Sequence, residues 1–313
     1  MALSSDGTRV IVGGDFDHLN GSTENAIGAV SATGNGALTQ WNSRPIPARV
    51  GTRYSGVTSL AVSGPTVYAG AYGEGGGVFD GRLAVDTNTG NLLWKDTCLG
   101  ATTTVAVQNG VVYSGSHAHD CSSMGGWPQT SPATYQRLLA ETASSGGAAK
   151  NQLLHWFPQI NYGPADSYYK QGPWAMANDN SYLWVGGEFT QVGGVAQQGL
   201  TRFAPTSVAP DVDPAEVPYA APTVTEAGGG KLKVTWKTTW DRDNANLRYG
   251  VVRDNAATSV HTTTVASNFW TLPSVSFTDS GLVTGSSHYY RVRAVDPFGN
   301  ARSTPNSASV VVS

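Results

Sequence analysis

The chain has 313 residues, of which 40% are apolar and only 13% charged, with 38 glycines and a formal net charge of −3. Such a composition, with aromatics at 10%, excludes a disordered protein. The lack of a basic patch argues against a nucleic-acid partner, and no run reaches the ~18 apolar residues of a membrane-spanning helix.

The first seven residues lack the cationic stretch and apolar core of a signal peptide. They read as a Ser5-Asp6-Gly7 turn feeding a strand over 9–12, as expected of a segment cut from a larger protein. From there a unit recurs four times. The first copy is Thr8-Arg9-Val10-Ile11-Val12-Gly13-Gly14-Asp15-Phe16, then 26–30, a Thr33-Gly34 turn and Leu38-Thr39-Gln40-Trp41. The second is Thr66-Val67-Tyr68-Ala69-Gly70, then Gly81-Arg82-Leu83-Ala84-Val85-Asp86, an Asn88-Thr89-Gly90 turn and Asn91-Leu92-Leu93-Trp94. The third is Val111-Val112-Tyr113-Ser114-Gly115, then Arg137-Leu138-Leu139-Ala140-Glu141, a Gly146-Gly147 turn and Leu153-Leu154-His155-Trp156. The fourth is Tyr182-Leu183-Trp184-Val185-Gly186-Gly187-Glu188-Phe189, then Gly199-Leu200-Thr201-Arg202-Phe203. Gly14 and Gly187 lie three steps apart, so the mean period is about 58 residues. Short β-branched and aromatic strands between Gly turns are hairpin signatures, and repeated four-stranded sheets build a β-propeller. The fold expected for residues 1–205 is therefore an all-β propeller, partial at four blade-like repeats, with Trp41, Trp94 and Trp156 packed between blades. An open arc would leave strand edges exposed and favour self-association through the open propeller edge.

The pattern Val-Gly-Gly-Asp/Glu-Phe, Leu-Ala-x-x-Asp-x-x-Thr-Gly and Leu-x-x-Trp resembles secreted multi-domain β-propeller proteins of high-GC Gram-positive bacteria. Ser116-His117-Ala118-His119-Asp120-Cys121 and Gly172-Pro173-Trp174-Ala175-Met176 strengthen the likeness. The resemblance covers about residues 6–205 and implies architecture and export, hence an extracellular or cell-surface location. The second unit alone is also similar to the repeats of pyrroloquinoline-quinone dehydrogenases, where the motif stabilises blades.

Residues 206–222 read as a Pro-rich linker, with Pro210, Pro214, Pro218 and Pro222 following Pro205, and are expected to act as a semi-rigid spacer. Residues 223–313 alternate apolar and polar side chains, first at Leu232, Val234 and Trp236, then over 247–252, 274–277, 289–295 and 307–312. An immunoglobulin-like sandwich is expected. Gly281-Leu282 followed by Tyr289-Tyr290-Arg291-Val292-Arg293-Ala294-Val295-Asp296-Pro297-Phe298-Gly299-Asn300 resembles a fibronectin type III domain, with His288 at the tyrosine-corner position.

Cys98 and Cys121 lie in polar, Gly-rich surroundings and outside any Cys-x-x-Cys pair, so a disulfide is expected, and with it an oxidising compartment. His117 and His119 would share a strand face. With Asp120 they form a candidate metal site, against a reading in which these side chains bond the backbone of a loop. Asp15 and Glu188 occupy equivalent places, which points to turns or caps. No nucleophile elbow, P-loop or His-Glu-x-x-His stands in the chain. Long loops on rigid repeats carry binding sites. Trp127, Tyr162, Tyr168 and Tyr169 are the candidate ligand-facing aromatics, and Trp156 and Trp174 the packing ones. Asp241-Arg242-Asp243-Asn244 has too few ligands for calcium and reads as a solvated hairpin loop. The resulting expectation is a non-catalytic extracellular binding or adhesion module for a carbohydrate or surface protein, with no cofactor beyond a possible metal ion. The rivals are a metal-dependent extracellular hydrolase at His117/His119 and an architectural segment of a larger surface or appendage assembly.

Overall fold

The computed structural model describes residues 1–39, 41–42, 44–74, 78–148, 150–164, 170–217 and 219–313. Antiparallel strands build it, and the helical element among the described residues is a 3-10 turn, Ser122–Met124. The chain divides into two compact units, Met1–Pro205 and Thr206–Ser313. No helix is long and apolar enough to cross a membrane among the described residues.

Among the described residues the first unit holds four successive antiparallel sheets of three or four strands, besides two small hairpins. The first joins Ala2–Leu3, Arg9–Gly13 and Ile27–Ser31. The second joins Tyr54–Ser63, Thr66–Glu74, Gly81–Asp86 and Leu92–Lys95. The third joins Thr102–Gln108, Val111–Ala118 and Gln136–Thr142. The fourth joins Pro173–Asn178, Leu183–Gly187 and Leu200–Phe203. Single bridges, Val30 to Leu38 and Glu141 to Leu153, add a vestigial fourth strand to the first and third sheets.

One register runs through all four. Ile11 faces Ala29, Tyr68 faces Ala84, Tyr113 faces Ala140 and Trp184 faces Arg202. The closing tryptophans reach the next sheet, as expected from the repeats. Trp41 lies on Gly90 of the second sheet's turn, where a Cβ would come within 2.6 Å of the indole and φ is +72°, so only glycine fits. Trp94 shares a core with Val112 of the third sheet. The Trp156 ring lies edge-on to Tyr113 and to Phe203 of the fourth sheet, at 5.2 and 5.3 Å. The leading strands are joined by hydroxyls at β-bulges. Thr58 Oγ1 donates to Thr102 O (2.7 Å), and Thr103 Oγ1 donates to Pro173 O (2.8 Å). At the matching bulge of the fourth sheet stands Trp174, which is 42% exposed rather than packed between sheets.

The register also shows which side chains meet between sheets. Two residues before the reference position lie Ile27, Arg82, Leu138 and Leu200, and one residue after it lie Val30, Val85, Glu141 and Phe203. Ile27 and Val85 share the core between the first and second sheets. Leu138 and Phe203 belong to the core between the third and fourth. Between the second and third sheets the same places hold Arg82 and Glu141, paired at 2.7 Å and both fully buried, with Asp96 against the same guanidinium. Burial holds the Glu141 carboxyl well above the ordinary range despite Arg82.

The second unit has a three-stranded sheet, Thr223–Glu226, Lys231–Lys237 and Ser274–Ser280. Its four-stranded sheet runs His261–Ala266, Asn246–Arg253, Tyr290–Val295 and Ala301–Ser303. Leu232, Val234 and Trp236 alternate into a core shared with Leu247, Tyr249 and Val292. The expected spacer is part of this unit. Ala215 and Tyr219 are buried in its core, Glu216 N donates to Trp240 O at 2.8 Å, and the Glu216 carboxylate pairs with Arg242 at 2.5 Å. The prolines keep the segment extended, and its apolar side chains then complete the core. Pro218 lies outside the described residues. His288 Nε2 bonds Ser286 Oγ (2.9 Å), which donates to Val283 O (2.5 Å).

Candidate functional site

The repeats differ most in the connection between second and third strands. In the first sheet it holds a small hairpin, His18–Leu19 with Ser22–Thr23, and in the fourth Gln191–Val192 with Val195–Ala196. Both return through matching bonds, Gly14 N to Ala26 O and Gly187 N to Gly199 O, each 3.0 Å. In the third sheet residues 119–135 form a longer excursion. The Cys98–Cys121 disulfide pins it, with Leu99 N donating to Asp120 O and Cys121 N to Trp127 O, each at 2.7 Å.

At the end of this sheet the excursion gathers rings and cations. Tyr135 is 47% exposed. His117 and His119 lie edge-on to it at 6.0 and 6.1 Å. The Arg137 guanidinium carbon lies 5.6 Å from the Tyr135 ring and 5.1 Å from the Tyr162 ring, which Lys170 also approaches at 5.7 Å. His117 Nδ1 bonds Gln171 Oε1 at 2.9 Å, and its Nε2 accepts from Ala101 N at 3.3 Å. This fixes Nδ1 as the protonated nitrogen. Burial lowers the His117 pKa, against the Gln171 bond, so the ring is neutral at physiological pH. Gln171 is in turn held by Glu188, whose Oε1 accepts from Gln171 N (3.0 Å) and Gly172 N (3.4 Å). Glu188 thus caps a backbone turn, as expected from its place after Gly-Gly. Its counterpart Asp15 instead pairs with Arg49 at 2.6 Å.

Two expectations are corrected. The His117, His119 and Asp120 side chains do not converge on a metal. The imidazoles stack 6.5 Å apart, and both His117 nitrogens are engaged. His119 Nδ1 bonds Gln129 Oε1 at 2.5 Å. Asp120 Oδ1 accepts from Ser122 N and Oγ, which hold the carboxyl below the ordinary range, the hydroxyl most strongly. No three His, Cys, Asp or Glu side chains among the described residues are placed to hold a metal ion. The hydrolase built on that site loses its ligand geometry. Trp127 is 1% exposed, edge-on to Phe157 at 5.8 Å. Its backbone is tied to Cys121, whose N–H donates to Trp127 O, and the buried indole offers no face to a ligand. Tyr162 does join the cluster. Tyr168 and Tyr169 lie outside the described residues. Tyr135, Arg137, Gln129 and Gln171 were not singled out by sequence. Their signal is the asymmetry of the third repeat.

In the second unit the Asp241-Arg242-Asp243-Asn244 turn is not a solvated loop. Asp241 and Asn244 are buried, and Asn244 Nδ2 donates to Asp243 Oδ1 (2.7 Å) and Asp211 Oδ2 (3.1 Å). Asn300 Nδ2 ties Asp296 Oδ2 (2.7 Å) to the Asp211 backbone (3.0 Å). Burial, and then a hydrogen bond to Asp241, push Asp243 up to about 7. Ser286, His288 and Asp254 also fall in line, with His288 Nδ1 2.6 Å from Asp254 Oδ2. The serine proton is committed to Val283 O, so this is no nucleophile and base pair.

A cleft of about 560 Å³ opens on the other side of the excursion, lined by Trp94, Lys95, Ser123, Lys150 and Gln152 among others. Among the described residues its lining has no histidine or carboxylate. In comparisons with known proteins, no family model and no curated protein matches the chain.

Proposed function

We propose that the first unit is a four-bladed β-propeller arc joined to a fibronectin type III module, and that it acts outside the cell as a non-catalytic binding module for a glycan. The blade reading rests on the common register and on the threonines and tryptophans that join each sheet to the next. The fibronectin reading rests on the three- and four-stranded sheets around Trp236. The disulfide supports an oxidising compartment.

One observation carries the glycan reading. Tyr135 presents a half-exposed ring at the rim of a pinned excursion, with His119, which Gln129 holds, edge-on to it, and Arg137 lying near both Tyr135 and Tyr162. Flat aromatic faces cover the apolar face of a sugar ring, and planar polar side chains bond its hydroxyls. The test is affinity electrophoresis of the intact chain through gels holding soluble polysaccharides. Retardation of the wild type by at least one polymer, abolished in Tyr135→Ala, is expected. A wild type that runs unretarded in every gel would contradict the reading.

The architectural alternative is favoured by Trp174, which stands exposed where Thr58 and Thr103 join the next sheet. Concentration-dependent dimers that vanish in Trp174→Ala would support it in sedimentation experiments.

A further inference from the structure

Arg137 occupies a place that the other repeats leave without a projecting side chain. Three residues before the reference position, where it stands, the other sheets have Ala26, Gly81 and Gly199, with φ of 60°, 134° and 73°. There the backbone is left-handed, which disfavours a long side chain. In the third sheet the strand runs straight through Gln136–Thr142, and the position carries a guanidinium.

That guanidinium is half-buried and, among the described residues, makes one hydrogen bond, Nη2 to Lys170 O at 3.2 Å. Its Nε is out of solvent and has no acceptor. Among the described residues no carboxylate lies within ion-pair distance of it, whereas Arg82, one sheet away, is closed by Asp96 and Glu141. Glu188, whose charge also acts on Arg137, has Oε1 committed to two backbone N–H groups. Tyr135 and Tyr162 hold the planar fork between them, and Lys170 adds a second cation at the Tyr162 ring. A fork with unused N–H donors, partly shielded from water, matches a carboxylate in geometry and charge.

We propose that the glycan bound at this end is acidic, a uronate-containing polymer whose carboxylate is read by Arg137 while the sugar ring lies on Tyr135. This inference rests on the glycan reading above. Binding of the intact chain to polygalacturonate, alginate and hyaluronan, to the carboxyl-esterified form of each, and to neutral xylan and hydroxyethylcellulose tests it. At least one acidic polymer should bind about tenfold or more tightly than its ester, the effect of one charge-assisted hydrogen-bond pair. Arg137→Gln should erase that difference by weakening the acidic form about tenfold more than its ester, and Arg137→Lys, which keeps the charge without the fork, should retain part of the difference. Thermal unfolding of both variants checks that they fold.

Equal affinity for acid and ester, binding to neutral polymers alone, or an Arg137→Gln variant that weakens both forms alike would overturn the acidic assignment and leave the glycan reading standing. Failure of every polymer to bind would overturn both.

Discussion

Arg82-Leu83-Ala84-Val85-Asp86 and Arg137-Leu138-Leu139-Ala140-Glu141 look like one motif written twice. In the fold they are one residue out of step, because Ala84 faces Tyr68 and Ala140 faces Tyr113. Arg82 therefore matches Leu138, and Arg137 matches Gly81. Side chains alternate across a strand, so a slip of one residue sends the two guanidiniums to opposite faces. Arg82 enters the layer between sheets and is closed by two buried carboxylates. Arg137 comes out beside two tyrosines with its donors largely unused. The common register builds a scaffold, and a motif displaced by one residue within it brings Arg137 out at the proposed site.

The largest effect should come from the buried partner. Arg82→Leu leaves Asp96 and Glu141 buried without a cation and is expected to destabilise the first unit by about 3–5 kcal/mol in denaturant unfolding. Adding Glu141→Val and Asp96→Asn imitates the apolar pairs of the neighbouring layers and should restore most of that loss. If Arg82→Leu is harmless, the ion pair is not the stabilising contact described here.

Replacing both Cys98 and Cys121 by alanine should lower stability by about 2–4 kcal/mol. Hydrogen exchange should then rise over 119–135 more than over the strands, and unchanged exchange there would show that the excursion does not need its pin.

Arg137→Leu sharpens the contrast with Arg82. Its side chain is partly solvated, so unfolding should shift by less than about 1 kcal/mol, while retention by polysaccharide gels should fall.

A pH-dependent effect concerns the second unit. Asp243 titrates near 7 in the fold, against about 4 in an unfolded chain. A raised carboxyl pKa adds stability that is complete below the unfolded value and is lost as pH rises through the folded one. Protection of Leu247 and Val251 from exchange should therefore decline between about pH 4 and 7 in the wild type and decline less in Asp243→Asn. Parallel profiles would remove Asp243 from the cause.

Much of the scaffold was legible because its signals are local. Period-2 alternation, turn glycines and the Trp that closes each of the first three repeats stand within a few residues of one another, and the polar setting of Cys98 and Cys121 pointed to their bond. The one-residue displacement of the Arg137 motif was not legible, since it shows only once the strand pairing is known. His117 and His119 looked like partners because alternation puts them on one face, but the strand ends at Ala118, and Gln171 and Gln129 take the two rings separately. Trp127 looked exposed in a polar loop, but its indole is buried against Phe157, a contact thirty residues along the chain. Proline content marked 206–222 as a spacer, while Ala215 and Tyr219 bury themselves in a core that forms only with strands far along the chain. Asp211 and Asp296 join the Asp241 turn for the same long-range reason.

Hydrogen exchange of the intact chain, with and without a retained polysaccharide, tests the placement of the site most directly. Protection is expected over 135–137 and 170–172, with the cleft at Trp94 and Gln152 unchanged. Protection confined to that cleft or to the second unit, or none with any polymer, would contradict a glycan site at Tyr135 and Arg137.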